Sequence, residues 1–133
     1  MMTQIDTAKT EPPPWPLEIR LAKSRKLLHI AFDDGALFDF SAEFLRVISP
    51  SAELQGHSES ERKTIGGKRD VSIIAVDPVG NYAIRIGFDD NHNTGIYTWD
   101  YLHDAGLHHD ARFQAYLDEL AAKGLDRDTP GLR

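Results

Sequence analysis

The sequence predicts an α+β domain in which antiparallel strands fall into two hairpin-rich groups and helices cover one face. Three observations lead to that class. Leu17-Glu18-Ile19-Arg20-Leu21 alternates apolar and polar residues with the period of two that a half-buried strand requires. Phe-Asp-Asp occurs twice, at Phe32-Asp33-Asp34 and Phe88-Asp89-Asp90, each time between β-rich runs and ahead of a short helical stretch. Phe113, Tyr116, Leu117 and Leu120 recur at i, i+3, i+4 and i+7, the stripe of an amphipathic helix.

Residues 1–16 are expected to form a flexible leader, because Pro12, Pro13, Pro14 and Pro16 around Trp15 favour extended chain, with Trp15 docked on the domain edge. The domain proper is expected over 17–124. A strand from Leu17 and a second over 26–32 flank Lys23-Ser24-Arg25, and Asp33-Asp34-Gly35 supplies the residues that tolerate a tight hairpin before a third strand over 36–40. Ser41 with Glu43 marks a helix start, Phe44, Leu45, Val47 and Ile48 give it an apolar face, and Pro50 ends it. Residues 51–70 are polar and glycine-punctuated and read as a long loop, whose length points either to a binding loop or to a helical turn near Ser58 to Lys63.

Strands over 71–76 and 82–88 enclose a turn at Asp77-Pro78-Val79-Gly80-Asn81, and a wider turn over 89–93 leads to a short strand over 94–98. A helix over 99–105 is closed by Gly106, a final helix covers 110–123, and 125–133 read as a polar tail. Residues 32–45 can be laid over 88–102, with Phe38 and Phe40 against Tyr97 and Trp99 and with Glu43-Phe44-Leu45 against Asp100-Tyr101-Leu102. That echo is compatible with a pseudo-duplicated β-β-β-α unit and places Trp99 in the core.

Charge and composition narrow the function. The 133 residues carry 15 Lys+Arg and 21 Asp+Glu, a formal charge of −6, which disfavours phosphate backbones and anionic lipid as partners. A chain of this length buries about two-thirds of its unfolded surface and forms a core unaided. With no cysteine, disulfides, thiol nucleophiles and Cys-based metal sites are excluded. Neither a signal peptide nor a long apolar span is visible, so a cytoplasmic protein is expected.

Few constellations carry chemistry. Asp89-x-Asn91-x-Asn93 with Asp100 at the twelfth position departs from a calcium loop at the sixth position, Thr94, where the sharp turn needs glycine, so an Asx-rich hairpin turn is expected instead. His57-x-Glu59 with His103, His108 or His109 matches a facial iron triad on paper only, since His57 lies in a polar loop; the adjacent His108 and His109 point apart and read as solvated. Ile65-Gly66-Gly67-Lys68 lacks the full phosphate cradle and its preceding strand. No Ser, His and carboxylate set is anchored on adjoining elements.

Leu45-Arg46-Val47-Ile48-Ser49-Pro50-Ser51-Ala52-Glu53, Gly56-His57, Gly67-Lys68, Val79-Gly80-Asn81-Tyr82-Ala83 and Phe88-Asp89-Asp90-x-His92-x-Thr94-Gly95-Ile96-Tyr97-Thr98-Trp99-x-Tyr101-Leu102 together carry a family resemblance. The chain resembles, over about 16–102, the γ-butyrobetaine hydroxylase N-terminal-like domain, which in bacteria often stands alone with unknown function. The resemblance implies a non-catalytic domain that aids dimer contacts and binds zinc through Cys-x-Cys-x-x-Cys and a distant His. A relative is appended to plant iron-sulfur scaffold ATPases. Carried over, the thiolates fall at Ser49, Ser51 and Leu54 and the imidazole at His92, so three of four ligands are lost and no structural zinc is expected.

The expected function is a non-catalytic cytoplasmic binding or adaptor module with a protein partner, no nucleic acid, no membrane, no cofactor and no metal, acting as a monomer or weak homodimer. Its candidate surface joins the 49–68 loop to the His92 turn, with His92, Asp89, Asp90, His57 and Lys68 as contact residues. The alternatives are an accessory factor in iron-sulfur assembly and a small enzyme using His92 as acid or base with Asp89 or Asp90 orienting it. Two roles are open for His92: a hydrogen bond to the Ser49-Pro50-Ser51 segment, or direct contact with a partner.

Overall fold

Alternating strands whose buried faces match are the basis of the architecture in a computed structural model that describes residues 14–50 and 64–129. In chain order the elements are β1 (Pro16–Leu21), β2 (Leu27–Phe32), β3 (Leu37–Ser41), α1 (Ala42–Val47), β4 (Ile73–Val79), β5 (Ala83–Phe88), β6 (Gly95–Thr98), α2 (Trp99–Leu107) and α3 (His109–Ala122). Among the described residues, two antiparallel three-stranded sheets, β1-β2-β3 and β4-β5-β6, and three helices make the expected α+β fold.

Period two decides which residues meet. Leu28 pairs with Phe40 and Leu21, and Ile30 with Phe38 and Ile19, so one face of the first sheet is apolar. In the second sheet Ile84 pairs with Tyr97 and Ile86 with Gly95. Both inner faces enter one core, with Phe32, Phe40, Phe44, Leu45, Phe88 and Leu102 fully buried. An irregularity in the register between Pro16 and Glu18 leaves Leu17 exposed, and a matching one between Ile73 and Ala75 leaves Ile74 exposed. The sheets are joined at Arg25, which adopts φ 63° and accepts the Ile73 N–H at its carbonyl, 2.8 Å.

Several boundaries differ from expectation for local reasons. Asp77, Pro78 and Val79 belong to β4 rather than to the turn, because β4 is an edge strand, where proline's missing N–H is tolerated. The turn contracts to Gly80-Asn81-Tyr82, with Gly80 at φ 54°. Gly106 does not close α2 but lies inside it, where the Phe38 ring packs so closely that a Cβ would sit 2.5 Å from its Cδ2. Trp99 packs against the core only in part; its Nε1 donates to the Asn81 carbonyl at 3.0 Å and its ring meets Trp15 edge-on at 6.2 Å. Trp15 itself is tied to Asp33, donating its N–H to Oδ1 and accepting the Asp33 N–H.

Residues 125–129, expected as part of a tail, are fastened to the domain. Gly67 donates its N–H to the Asp126 carbonyl at 2.9 Å and Arg69 donates to the Arg127 carbonyl at 3.0 Å. Among the described residues, no helix is long and apolar enough to cross a membrane.

Candidate functional site

The β5–β6 turn is built from the residue types its geometry needs. The Phe88 N–H donates to the His92 carbonyl at 2.9 Å, the Asn91 N–H donates to the Phe88 carbonyl at 3.1 Å, and Asn91 takes the left-handed φ of 72° that Asn tolerates. Asp90 Oδ1 accepts the His92 N–H at 3.1 Å, an Asx turn. Asp89 faces the other way: it accepts the Ser72 N–H at Oδ1 and donates its own N–H to the Ser72 carbonyl.

Asp90 is the hub. Its Oδ2 receives Arg46 Nε at 2.8 Å from the last turn of α1 and Lys68 Nζ at 2.7 Å. Burial alone would raise its carboxyl. The Lys68 and Arg46 donors, the Arg46 charge and the His92 N–H outweigh that and hold it below the ordinary aspartate range. Next to the hub, His92 is 7 % exposed and its Nε2 lies 2.9 Å from Ser49 Oγ, just after α1. Gly95 has to be glycine, since a Cβ there would collide with Ser49 Oγ. Two tyrosines complete the fastening: Tyr97 donates its hydroxyl to the Leu45 carbonyl and Tyr101 to the Ile48 carbonyl, each at 2.5 Å. Burial pushes the Tyr97 hydroxyl far up from its usual value.

Of the residues singled out from the sequence, Ser49, Lys68, Asp90 and His92 come together here and Asp89 flanks them. His57, Ser51 and Leu54 lie outside the described residues. His103 is elsewhere, with Nε2 2.8 Å from Asp34, and His109 lies against Phe44 with ring centroids 4.4 Å apart. Arg46, Tyr97 and Tyr101 are the members of this cluster that the sequence reading did not single out as site residues. For Arg46 a signal existed: a lone charge inside the apolar run Phe44-Leu45-Arg46-Val47-Ile48 has to find a buried partner. Chemically the arrangement fastens the turn to the end of α1. It does not hold an imidazole toward solvent.

The fold and this centre define a small two-sheet α+β domain whose partly buried ionic cluster ties a turn to a helix. Residues 19–103 match the family model for gamma-butyrobetaine hydroxylase-like, N-terminal, and the chain belongs to that family. Two NMR solution structures are similar to it: one is 40% identical with a TM-score of 0.77, covering 91% of this chain and 95% of that one. The other is 36% identical with a TM-score of 0.75, covering 93% and 92%. A crystal structure of a protein of unknown function of the DUF971 family, from Acidithiobacillus ferrooxidans, is 39% identical with a TM-score of 0.55, over 65% of this chain and 86% of that one. No curated protein matches the chain.

The zinc that the resemblance implies does not fit the residues present. Ser49 and His92 are hydrogen-bonded to each other, Leu54 has no lone pair to give, and a hydroxyl is a poor substitute for a thiolate. Among the described residues no group of three or more His, Asp or Glu is placed to hold an ion.

Proposed function

We propose that this domain is a non-catalytic cytoplasmic binding or adaptor module for a protein partner, without affinity for nucleic acid or membrane, working as a monomer or weak homodimer. The observation that carries this reading is the saturation of Asp90, with Arg46 and Lys68 on one oxygen and the His92 N–H on the other. An acid–base centre needs a group that reaches a substrate proton, whereas the residues nearest to that role are occupied in holding the turn. What remains for contact is the rim: the exposed Asp89 and Asn91 of the turn beside the 64–70 segment. With the purified full chain as bait in its native lysate, mass spectrometry is expected to return a partner that saturates at a fixed stoichiometry. Turnover of a small molecule that disappears in His92→Gln, with no such partner, overturns the reading.

A further inference from the structure

The most buried carboxylate of the described residues belongs to Glu43 in the first turn of α1, whose side chain is 6 % exposed against 19 % for Asp90. Both of its oxygens are taken by one group. Arg127 Nε donates to Oε2 at 2.7 Å and Nη2 donates to Oε1 at 2.6 Å, the fork geometry that matches a guanidinium. The guanidinium carbon lies 5.2 Å from the centre of the Phe113 ring, within cation–π range. The position equivalent to Glu43 in the second half is the exposed Asp100, two residues after the capping Thr98 as Glu43 is two after Ser41. The fold therefore does not require a buried carboxylate there.

The cation arrives on a separate strap. Residues 125–129 follow α3 without helix or strand and rest on the 65–69 segment through the Gly67–Asp126 and Arg69–Arg127 backbone bonds and an exposed Arg69–Asp128 pair. This is what the Gly66-Gly67 pair serves: a Cβ on Gly66 would come within 2.9 Å of the Asp126 carbonyl. Arg127 keeps 27 % of its side chain in solvent while the carboxylate beneath it is enclosed.

We propose that Glu43 and the face of Phe113 form a receptor site for an arginine side chain of a protein partner, filled in the isolated chain by Arg127 as an internal stand-in. The inference rests on the binding-module reading and names the chemistry of one contact. A tethered Arg127 competes at an effective concentration in the millimolar range, so a free arginine displaces it poorly, while a partner with further contacts does so readily. Lysine is a weaker substitute, because its ammonium is a compact point charge without the planar fork that matches both carboxylate oxygens and without a flat face to stack on the ring.

The test vacates the site in the full chain with Arg127→Ala and supplies N-acetylarginine amide. Saturable binding is expected, seen as recovery of the melting temperature and as shifts of the Phe113 ring signals in NMR, at least about tenfold tighter than N-acetyllysine amide and tighter than in the wild type. Adding Glu43→Gln is expected to abolish it. Equal binding of both amides, binding that survives Glu43→Gln, or no binding at all overturns the site. Should Arg127→Ala not fold, Arg127→Lys carries the same titration with the same criteria. A concentration-dependent dimer of the wild type that is lost in Arg127→Ala overturns the choice of occupant in favour of a second copy's strap. A partner captured equally by wild type and Glu43→Gln, with no amide binding, overturns the site and leaves the module reading standing.

Discussion

The two halves of the molecule use the same turn and the same helix start, yet hold them with different chemistry. In the first half the Phe32 N–H donates to the Ala36 carbonyl at 2.9 Å, Gly35 donates to Phe32 at 3.1 Å, and Asp34 Oδ1 accepts the Ala36 N–H at 3.0 Å. In the second half Phe88, Asn91, Asp90 and His92 repeat these bonds at 2.9, 3.1 and 3.1 Å. Ser41 caps α1 by accepting the Phe44 N–H, and Thr98 caps α2 by accepting the Tyr101 N–H. Five residues beyond each cap stand Arg46 and His103, and each reaches across to the other half's turn: Arg46 to Asp90, His103 to Asp34. The ties are reciprocal, but one is a permanent cation with Lys68 beside it and the other an imidazole against a carboxylate that is 43 % exposed. Repetition supplies the frame. Burial is expected to decide which tie carries more stability.

The largest expected effect comes from breaking the enclosed tie. Asp90→Ala leaves Arg46 buried without its carboxylate, and Arg46 Nη1 already lacks a partner, so a loss of about 3–5 kcal/mol is expected from the denaturant midpoint. A loss under about 1 kcal/mol, the level of a surface pair, breaks the comparison. The same tie has a pH signature. Because the folded Asp90 carboxyl sits below its ordinary value of 3.8, its contribution is fully present above that value and is lost as pH falls through the lowered one. Wild type is therefore expected to lose stability below about pH 3.8 more steeply than Asp90→Asn, as followed by denaturant titration at each pH.

Next in size is Gly95→Ala, which pushes a methyl into Ser49 Oγ beside the Tyr97 ring. Overpacking of this kind costs about 1–3 kcal/mol, and at this position it also displaces the Ser49–His92 bond. Calorimetry reads the first effect, and the His92 ring resonances read the second. An unchanged His92 spectrum means that Ser49 yields without letting go.

How far the sequence foretells this molecule follows the same division. Period-two runs, the Phe-Asp-Asp turns and the Ser41 cap are local signals and place both sheets and α1 within a few residues. The echo is right in kind and right at its helical end, but two residues off at the aromatic pair: the caps align Ser41 with Thr98, so Phe40 corresponds to Tyr97, and Ala42 rather than Phe40 corresponds to Trp99. That shift explains why Trp99 stands at the edge instead of in the core. The Arg46–Asp90 and Glu43–Arg127 pairs span 44 and 84 residues, and no local pattern announces which charges meet over such separations.

A smaller effect is expected at Ser49→Ala, which removes the hydroxyl next to His92 Nε2 without touching the ion pairs. A single buried hydrogen bond contributes about 0.5–1.5 kcal/mol, so the midpoint is expected to fall by that much while the Asp90 acid signature persists. If the acid signature vanishes with the hydroxyl, tie and hub are one unit and their energies do not add.

The smallest effect is expected at Asp34→Asn, the mirror of Asp90 in the first half. Its carboxyl also lies below the ordinary range, held there chiefly by the Ala36 N–H, with burial opposing and His103 adding to the lowering. An asparagine oxygen still accepts the Ala36 N–H, so the turn keeps its shape and only the attraction to His103 is weakened. The group is solvated, and water already screens most of that attraction. Asp34→Asn is therefore expected to move the unfolding midpoint less than Asp90→Asn under the same conditions, and to move it less still in high salt. Equal shifts for the two variants would mean that reciprocity, not burial, sets the strength of these ties. In that case His103 would have to be treated as an anchor of the fold on the same footing as Arg46.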